Sequence, residues 1–259
     1  MTPFTAVAVQ MTGTPLDPAG NAARIETHLR AAAGQGAKLV VLPELCETGY
    51  TLSPGLADVS STPETAGDRL SALARELGTT IVTSTAVRGE HGLRNVGVVI
   101  TPNGVVAAAA KRALWGGEPG IFTPGSPAEQ AIADTPVGRV GVLICYEAGF
   151  PEAARRLAVA GAGILAVPAA FGAARLHAWQ LMIRSRALEN GCHVVAANTV
   201  GPSAGLDFCG HSAVIDPHGE LRAVLAEGEG LVSALVDPAA VTEARSAIPY
   251  LRDLPRVTA

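Results

Sequence analysis

Between Gly138 and Glu152 the chain reads Gly-Arg-Val-Gly-Val-Leu-Ile-Cys-Tyr-Glu-Ala-Gly-Phe-Pro-Glu, an apolar run that stops at a cysteine. Val140, Val142, Leu143 and Ile144 are too uniformly apolar for a half-exposed strand, so the run predicts a strand buried on both faces. Pro151 and Glu152 match the N1 position and acidic first turn of a helix. Cys145 then stands at a strand-to-helix corner. There a side chain reaches a pocket, and the N–H groups just past it are free to bind developing negative charge. The plainer reading of a lone cysteine is a small apolar residue closing a core strand.

The same alternation runs through the rest of the chain. Phe4 to Gln10 reads as a strand, and Asp17-Pro18 caps a helix to about Ala33 with Ile25 and Leu29 on one face. Lys38 to Leu42 is a short strand ending at the polar stretch Pro43 to Tyr50. Residues 52 to 65 read as loop. A helix is expected from Asp68 to Leu77, closed by Gly78, followed by strands at Thr80–Ala86, Val96–Thr101 and Val105–Ala110. Pro102-Asn103-Gly104 makes a hairpin of the last two. Beyond Cys145 the pattern predicts helices at Pro151–Ala160 and Leu176–Asn190, with strands at Ile164–Val167, His193–Asn198, Ser212–Asp216 and Gly230–Val236, the last two linked through Pro217-His218-Gly219. Hairpins mixed with crossovers argue for an α/β layered domain with helices outside two packed sheets. No linker or repeat divides the chain, so residues 1–259 are expected to form one domain. The tail from Pro238 to Ala259 lacks periodicity and reads as an extended arm.

Composition excludes several classes of partner. With 48% apolar residues, 16% charged residues and a net charge of −4 without a basic run, neither nucleic acid nor an anionic membrane surface is implied. No apolar stretch approaches about 18 residues, and Met1-Thr2-Pro3-Phe4 is not a signal peptide, so a cytoplasmic location is expected. The four cysteines, Cys46, Cys145, Cys192 and Cys209, are widely spread, as suits a reducing compartment. A small-molecule substrate is the expectation.

Common site motifs do not fit. Gly161-Ala162-Gly163-Ile164-Leu165-Ala166 matches G-x-G-x-x-A, but it lies between a helix and a strand in the wrong order for a dinucleotide site. There is no G-x-S-x-G elbow, phosphate loop or H-E-x-x-H helix. Cys192-His193 and Cys209-x-His211 lack a C-x-x-C companion, so no metal or other cofactor is expected. A cysteine nucleophile needs a base, because a free thiol of pKa about 8.5 is only a few per cent thiolate at neutral pH. Glu44 follows its strand much as Cys145 follows its own, and Lys111 ends a hairpin strand where it can meet an oxyanion. Taken by spacing alone, Glu44 and Lys111 read equally well as a solvated salt bridge.

Three stretches together resemble the signatures of the nitrilase superfamily of carbon–nitrogen hydrolases. They are Leu42-Pro43-Glu44; Lys111-x-x-Leu114 with Glu118 and Phe122-x-Pro124-Gly125; and Gly141-x-x-Ile144-Cys145-Tyr146-Glu147-x-x-Phe150-Pro151-Glu152. Arg186-Ala187-x-Glu189-Asn190, Asn198-x-x-Gly201, Gly210-x-Ser212 and Asp216-Pro217-x-Gly219 extend the likeness over nearly the whole chain. The resemblance implies a four-layer α-β-β-α sandwich, pairing with a second subunit as a homodimer or larger. It also implies a triad of Glu44 as base, Lys111 as oxyanion donor and Cys145 as nucleophile. Glu118 would brace the lysine, and the Tyr146 N–H would be a second oxyanion donor. Two positions depart from the amidase-like pattern: Glu147 stands where Asp is usual, and Arg112-Ala113-Leu114 replaces a Thr-His-Leu-like run.

The Cys-Tyr-Glu frame and Leu114-Trp115-Gly116 look most like the small aliphatic or stereoselective amidases, which turn a primary carboxamide into acid and ammonia. A nitrilase and an N-carbamoyl amine hydrolase are the alternatives within the superfamily. Outside it stand a non-catalytic ligand-binding relative, disfavoured by retention of all three triad residues, and a papain-like set of Cys145, His177 and Asn198 that lacks its local frame. Trp115, Phe122, Phe150, Phe171 and Trp179 are expected to wall the pocket, with Arg175 and His177 as its polar groups and an apolar or aromatic amide preferred over an anionic one.

Overall fold

A computed structural model describes residues 2–258. One sheet contains β1 (Phe4–Gln10), β2 (Ala37–Glu44), β3 (Thr80–Gly89), β4 (Gly92–Thr101), β5 (Gly104–Ala110) and β14 (Gly230–Val236) in the order β14-β1-β2-β3-β4-β5. The other contains β6 (Ile132–Thr135), β7 (Gly138–Val142), β8 (Ile164–Ala169), β9 (His193–Asn198), β12 (Ser212–Ile215) and β13 (Leu221–Leu225) in the order β13-β12-β9-β8-β7-β6. A separate hairpin joins β10 (Val200–Ser203) to β11 (Leu206–Cys209). Helices α1 (Pro18–Gly34) and α2 (Asp68–Leu77) cover the first sheet, while α3 (Pro151–Val159) and α4 (Leu176–Asn190) lie against the second. This is the α-β-β-α sandwich expected from the resemblance.

Alternation along the strands builds the layers. In β1, Ala6 and Ala8 enter a core shared with Val140, Val142, Leu165, Val167 and Val195 of the opposite sheet. Val7 and Val9 point the other way and pack with Val40, Leu42 and Ile81 against Ile25, Leu29, Leu70 and Leu73 of α1 and α2. A strand apolar at every position is therefore buried on both faces, one by a sheet and one by a helix. Small inner residues let the sheets approach closely: a Cβ at Gly97 would stand 3.2 Å from Val142 and Ile144.

Three elements differ from the sequence expectation. Pro217-His218-Gly219 does not lead to the last strand; it turns β12 into β13, whose register is Ser212 opposite Leu225. Strands β6, β10, β11 and β13 lie outside the expected set; β6, β10 and β13 have no buried position, so apolar patterning does not mark them. The tail is helical rather than extended. α5 (Pro238–Ala247) starts at an Asp237 cap, buries Val241 and Ala244, and sends Arg245 to the carbonyls of Asn190 and Ala162. Its short apolar spacing, two residues three apart, falls below what a periodicity search separates from loop. Short helices α6 (Tyr250–Asp253) and α7 (Pro255–Thr258) follow.

The topology sets up one functional edge. β1, β2 and β3 run parallel, as do β7, β8 and β9, and β5 runs parallel to β3 because two antiparallel pairings separate them. Glu44 ends β2, Lys111 follows β5, Ala170 follows β8 and Cys145 comes three residues after β7. In open α/β sheets the carboxyl ends of parallel strands are where ligands bind.

Candidate active site

Glu44 is held from several sides. Its Oε1 accepts from Lys111 Nζ at 2.7 Å and from Asn95 Nδ2 at 2.7 Å, and its Oε2 accepts from the Ala170 N–H at 3.1 Å. A carboxylate has about four lone-pair sites, so these three donors leave one, and Cys145 lies close enough for its thiol to feel the Glu44 charge. Lys111 spends two of its three donors, on Glu44 and on Glu118 Oε1 at 2.8 Å. Glu118 also accepts from the Tyr50 hydroxyl at 2.9 Å and, through Oε2, from the Trp115 N–H at 2.7 Å. All three charged side chains are buried.

Two carboxylates and one ammonium share this dry cluster, and their protonation follows from that. Burial pushes the Glu44 carboxyl above its ordinary value, opposed by Lys111 and reinforced by Glu118. Burial acts downward on Lys111, but Glu44, Cys145 and Glu118 more than offset it and hold the ammonium above its ordinary value. Burial and the Glu44 charge push the Cys145 thiol well up. A thiol pushed up in this way argues against a preformed thiolate at rest.

The backbone aims these groups. Cys145 has φ 48° and Leu45, next after Glu44, has φ 51°, a left-handed conformation uncommon for side-chain-bearing residues. Cys145 opens a 3₁₀ helix to Gly149, in whose first turn the N–H groups lack helical acceptors. The two departures from the amidase-like pattern meet here. Glu147 Oε1 accepts from the Arg112 N–H at 2.9 Å and Arg112 Nε at 2.8 Å, while Oε2 accepts from the Ile144 N–H at 3.1 Å. The chain just after Lys111 is thereby tied to the turn that carries Cys145. At the other side Gly125 donates its N–H to the Lys111 carbonyl, and a Cβ there would come 2.3 Å from the Ala110 carbonyl oxygen.

Cys145 opens onto a cavity of about 200 Å³ whose wall also includes Tyr50, Trp115, Glu118, Tyr146, Phe171 and Arg175. Of the expected pocket residues, Trp115, Phe171 and Arg175 are on the wall. Phe150 is half exposed and stacks edge-on against Tyr146 at 5.1 Å. Trp179 lies buried behind Phe171 at 5.4 Å, with its Nε1 donating to the His211 carbonyl. His177 belongs to a separate surface hollow with Leu181, Arg184 and Leu188, and Phe122 packs in the core with Leu45 and Leu56. Helical phase explains the split on α4: Ala178 and Met182, four apart, face the cavity, whereas His177, Leu181, Arg184 and Leu188 face away. The outward His177 leaves the papain-like set without a base.

Sequence reasoning missed Tyr50, Asn95, the Ala170 N–H and the Arg112–Glu147 pair. Tyr50 lay inside the stretch singled out around Glu44, but nothing local says that its hydroxyl reaches Glu118, sixty-eight positions on. Cys192 and Cys209 do not gather with the histidines: Cys192 meets Arg245, and Cys209 meets Asn198. Among the described residues no group of three or more His, Cys, Asp or Glu side chains is placed to hold a metal.

Two six-stranded sheets packed between helices, with Cys145 at a strand-end corner near the buried Glu44, Lys111 and Glu118, agree with the nitrilase superfamily that the sequence resembles. The carbon–nitrogen hydrolase family matches residues 5–246, and the chain belongs to that family. It is 37% identical over 227 residues to a nitrilase of Pyrococcus abyssi, covering 85% of this chain and 84% of that one. To 2-oxoglutaramate amidase of Bacillus subtilis it is 34% identical over 227 residues, covering 84% and 85%. The solved double mutant of the amidase from Nesterenkonia sp. AN1 in complex with acrylamide is similar at a TM-score of 0.86 and 30% identity, over 96% of this chain and 93% of that one.

Proposed function

We propose that the protein hydrolyses a primary carboxamide to a carboxylic acid and ammonia through a thioester on Cys145. The observation that carries this reading is a buried Glu44, left with a single open lone pair by three fixed donors, in the same cluster as the Cys145 thiol. Glu44 takes the proton as sulfur attacks the amide carbon. The third N–H of Lys111 and the Tyr146 N–H hold the oxyanion. Collapse of the adduct returns the proton from Glu44 to the amide nitrogen, and ammonia leaves. A water then gives its proton to Glu44 and attacks the thioester; the acid departs and the thiol is restored.

An amide is favoured over a nitrile by the wall itself. Glu118 uses three of its four acceptor sites internally, and the remaining one on Oε2 suits an amide N–H, which a nitrile lacks. The amidase names among the relatives agree with this choice. Its test is ammonia release from matched amide, nitrile and N-carbamoyl compounds, with the amides highest in kcat/KM. Nitriles turned over without their amides overturn the reading, and carbon dioxide appearing with ammonia marks a carbamoylase. The same proposal includes a homodimer or larger assembly in the cytoplasm. All four cysteines are free and no helix among the described residues is long and apolar enough to cross a membrane, which agrees with it. Light scattering that gives 26.3 kDa at micromolar concentration refutes the assembly.

A further inference from the structure

Arg175 is the one cation among the described residues on the cavity wall, and no carboxylate lies within ion-pair reach of it there. The other charged wall residue, Glu118, is already engaged by Lys111, Tyr50 and the Trp115 N–H. The Arg175 guanidinium lies over the Trp115 ring, 4.6 Å from its centroid, and 5.6 Å from the centroid of Phe171. Stacking engages the faces of the guanidinium and leaves its in-plane N–H donors available, a fork that matches a carboxylate in two parallel bonds. Arg175 also precedes the first residue of α4, where the helix end favours negative charge.

We propose that the substrate is the monoamide of a short dicarboxylic acid, with its amide at Cys145 and its free carboxylate on Arg175. This rests on the amidase reading and names the substrate class of the same site. It replaces the sequence expectation of an apolar amide preferred over an anionic one. The aromatic walls remain; they serve to fix the guanidinium and exclude water, which strengthens a charge-assisted contact. A cavity of about 200 Å³ is smaller than the ~300–1,000 Å³ that drug-sized ligands occupy, which restricts the chain between the two ends to a few carbons.

The test compares succinamate and glutaramate with butyramide and pentanamide, neutral amides of matched length, in the wild type and in Arg175→Gln. The wild type should favour the anionic amides at least tenfold in kcat/KM. Arg175→Gln should lower kcat/KM for them roughly ten- to hundredfold, chiefly through KM, and lower it at least fivefold less for the neutral amides, so that the preference between the two series collapses. Equal loss on both series, or a wild type that prefers the neutral amides, overturns the carboxylate contact while leaving an amidase. If no amide of either series reacts, the amidase reading fails by itself. Binding then decides the carboxylate contact separately: calorimetry of glutarate on Cys145→Ala should show affinity falling at least tenfold when Arg175→Gln is added, and unchanged affinity or no binding to either protein overturns it.

Discussion

At Glu44 the cost of burying a carboxylate is only partly offset by Lys111, and the raised pKa that results is useful to a base. Activity requires the ionised form, so kcat/KM should rise with pH through a value above the ordinary carboxylate pKa of 4.5. Alkylation of Cys145 by iodoacetamide should follow the same limb and then level off, without the further climb that a free thiol shows through a pKa of about 8.5. A single label is expected, although burial raises every cysteine here, Cys46 to about 12 and Cys209 to about 11. What sets Cys145 apart is a base beside it and a cavity before it. Mapping the label to another cysteine would falsify the nucleophile assignment. Cys145→Ala should fold and lose activity by about 10⁶-fold.

The two partners in the cluster should respond to substitution with opposite signs in stability. A carboxyl whose folded pKa is raised contributes stability below its unfolded pKa and loses it as pH rises. Ionised Glu44 is therefore a burden at pH 7. Glu44→Gln leaves Lys111 paired with Glu118, so Tm at pH 7 should not fall and its decline between pH 4.5 and 7 should flatten, while kcat drops about 10²–10⁴-fold. Lys111→Ala strands two buried carboxylates and should cost about 3–5 kcal/mol in urea denaturation. Its kcat should fall at least 10²-fold. A Glu44→Gln protein markedly less stable than wild type would contradict this account.

On the scale of elements, the site is a meeting of strand ends, and the links between them are as specific as the reacting groups. Arg112→Ala removes the side-chain half of the tie from the end of β5 to the Cys145 turn and leaves buried Glu147 with the backbone N–H groups of residue 112 and Ile144 alone. We expect kcat to fall about tenfold with KM little changed, and Arg112→Lys, which cannot reproduce the guanidinium geometry, to recover only part. Unchanged kcat in Arg112→Ala would show the tie to be dispensable. Gly125→Ala should displace the Lys111 end of β5, because the added methyl meets the Ala110 carbonyl rather than a movable side chain. Activity should then fall more than the stability loss explains.

Over the whole molecule, two sheets pack face to face and each is closed by helices, and the edge that carries Glu44 and Cys145 forms where parallel strands from both sheets end. The C-terminal α5 belongs to this body. Truncation before Pro238 removes the burial of Val241 and Ala244 and the Arg245 bonds to Asn190 and Ala162. It should cost about 3 kcal/mol by denaturant midpoint, against the free loss expected of an extended arm. A truncated protein with the wild-type midpoint would show that α5 contributes nothing.

Legible in the chain alone was the layered fold. Burial on both faces writes a uniform apolar strand, and turn residues mark where it ends; those signals are local, so α2, α4 and β9 were read with their observed bounds. The strand-end positions of Glu44, Lys111 and Cys145 were legible for the same reason. Weakly patterned pieces were not, as with four-residue β6 and the two buried positions of α5. Nor was the geometry that makes a site. That Asn95 and the Ala170 N–H fill the lone pairs of Glu44, that Arg112 answers Glu147, and that Arg175 rather than His177 faces the cavity all depend on chain segments brought together from far apart. A hydrogen bond between residues 44 and 170 leaves no periodicity behind it, because only packing the sheets decides which strand ends become neighbours and which face of α4 looks inward.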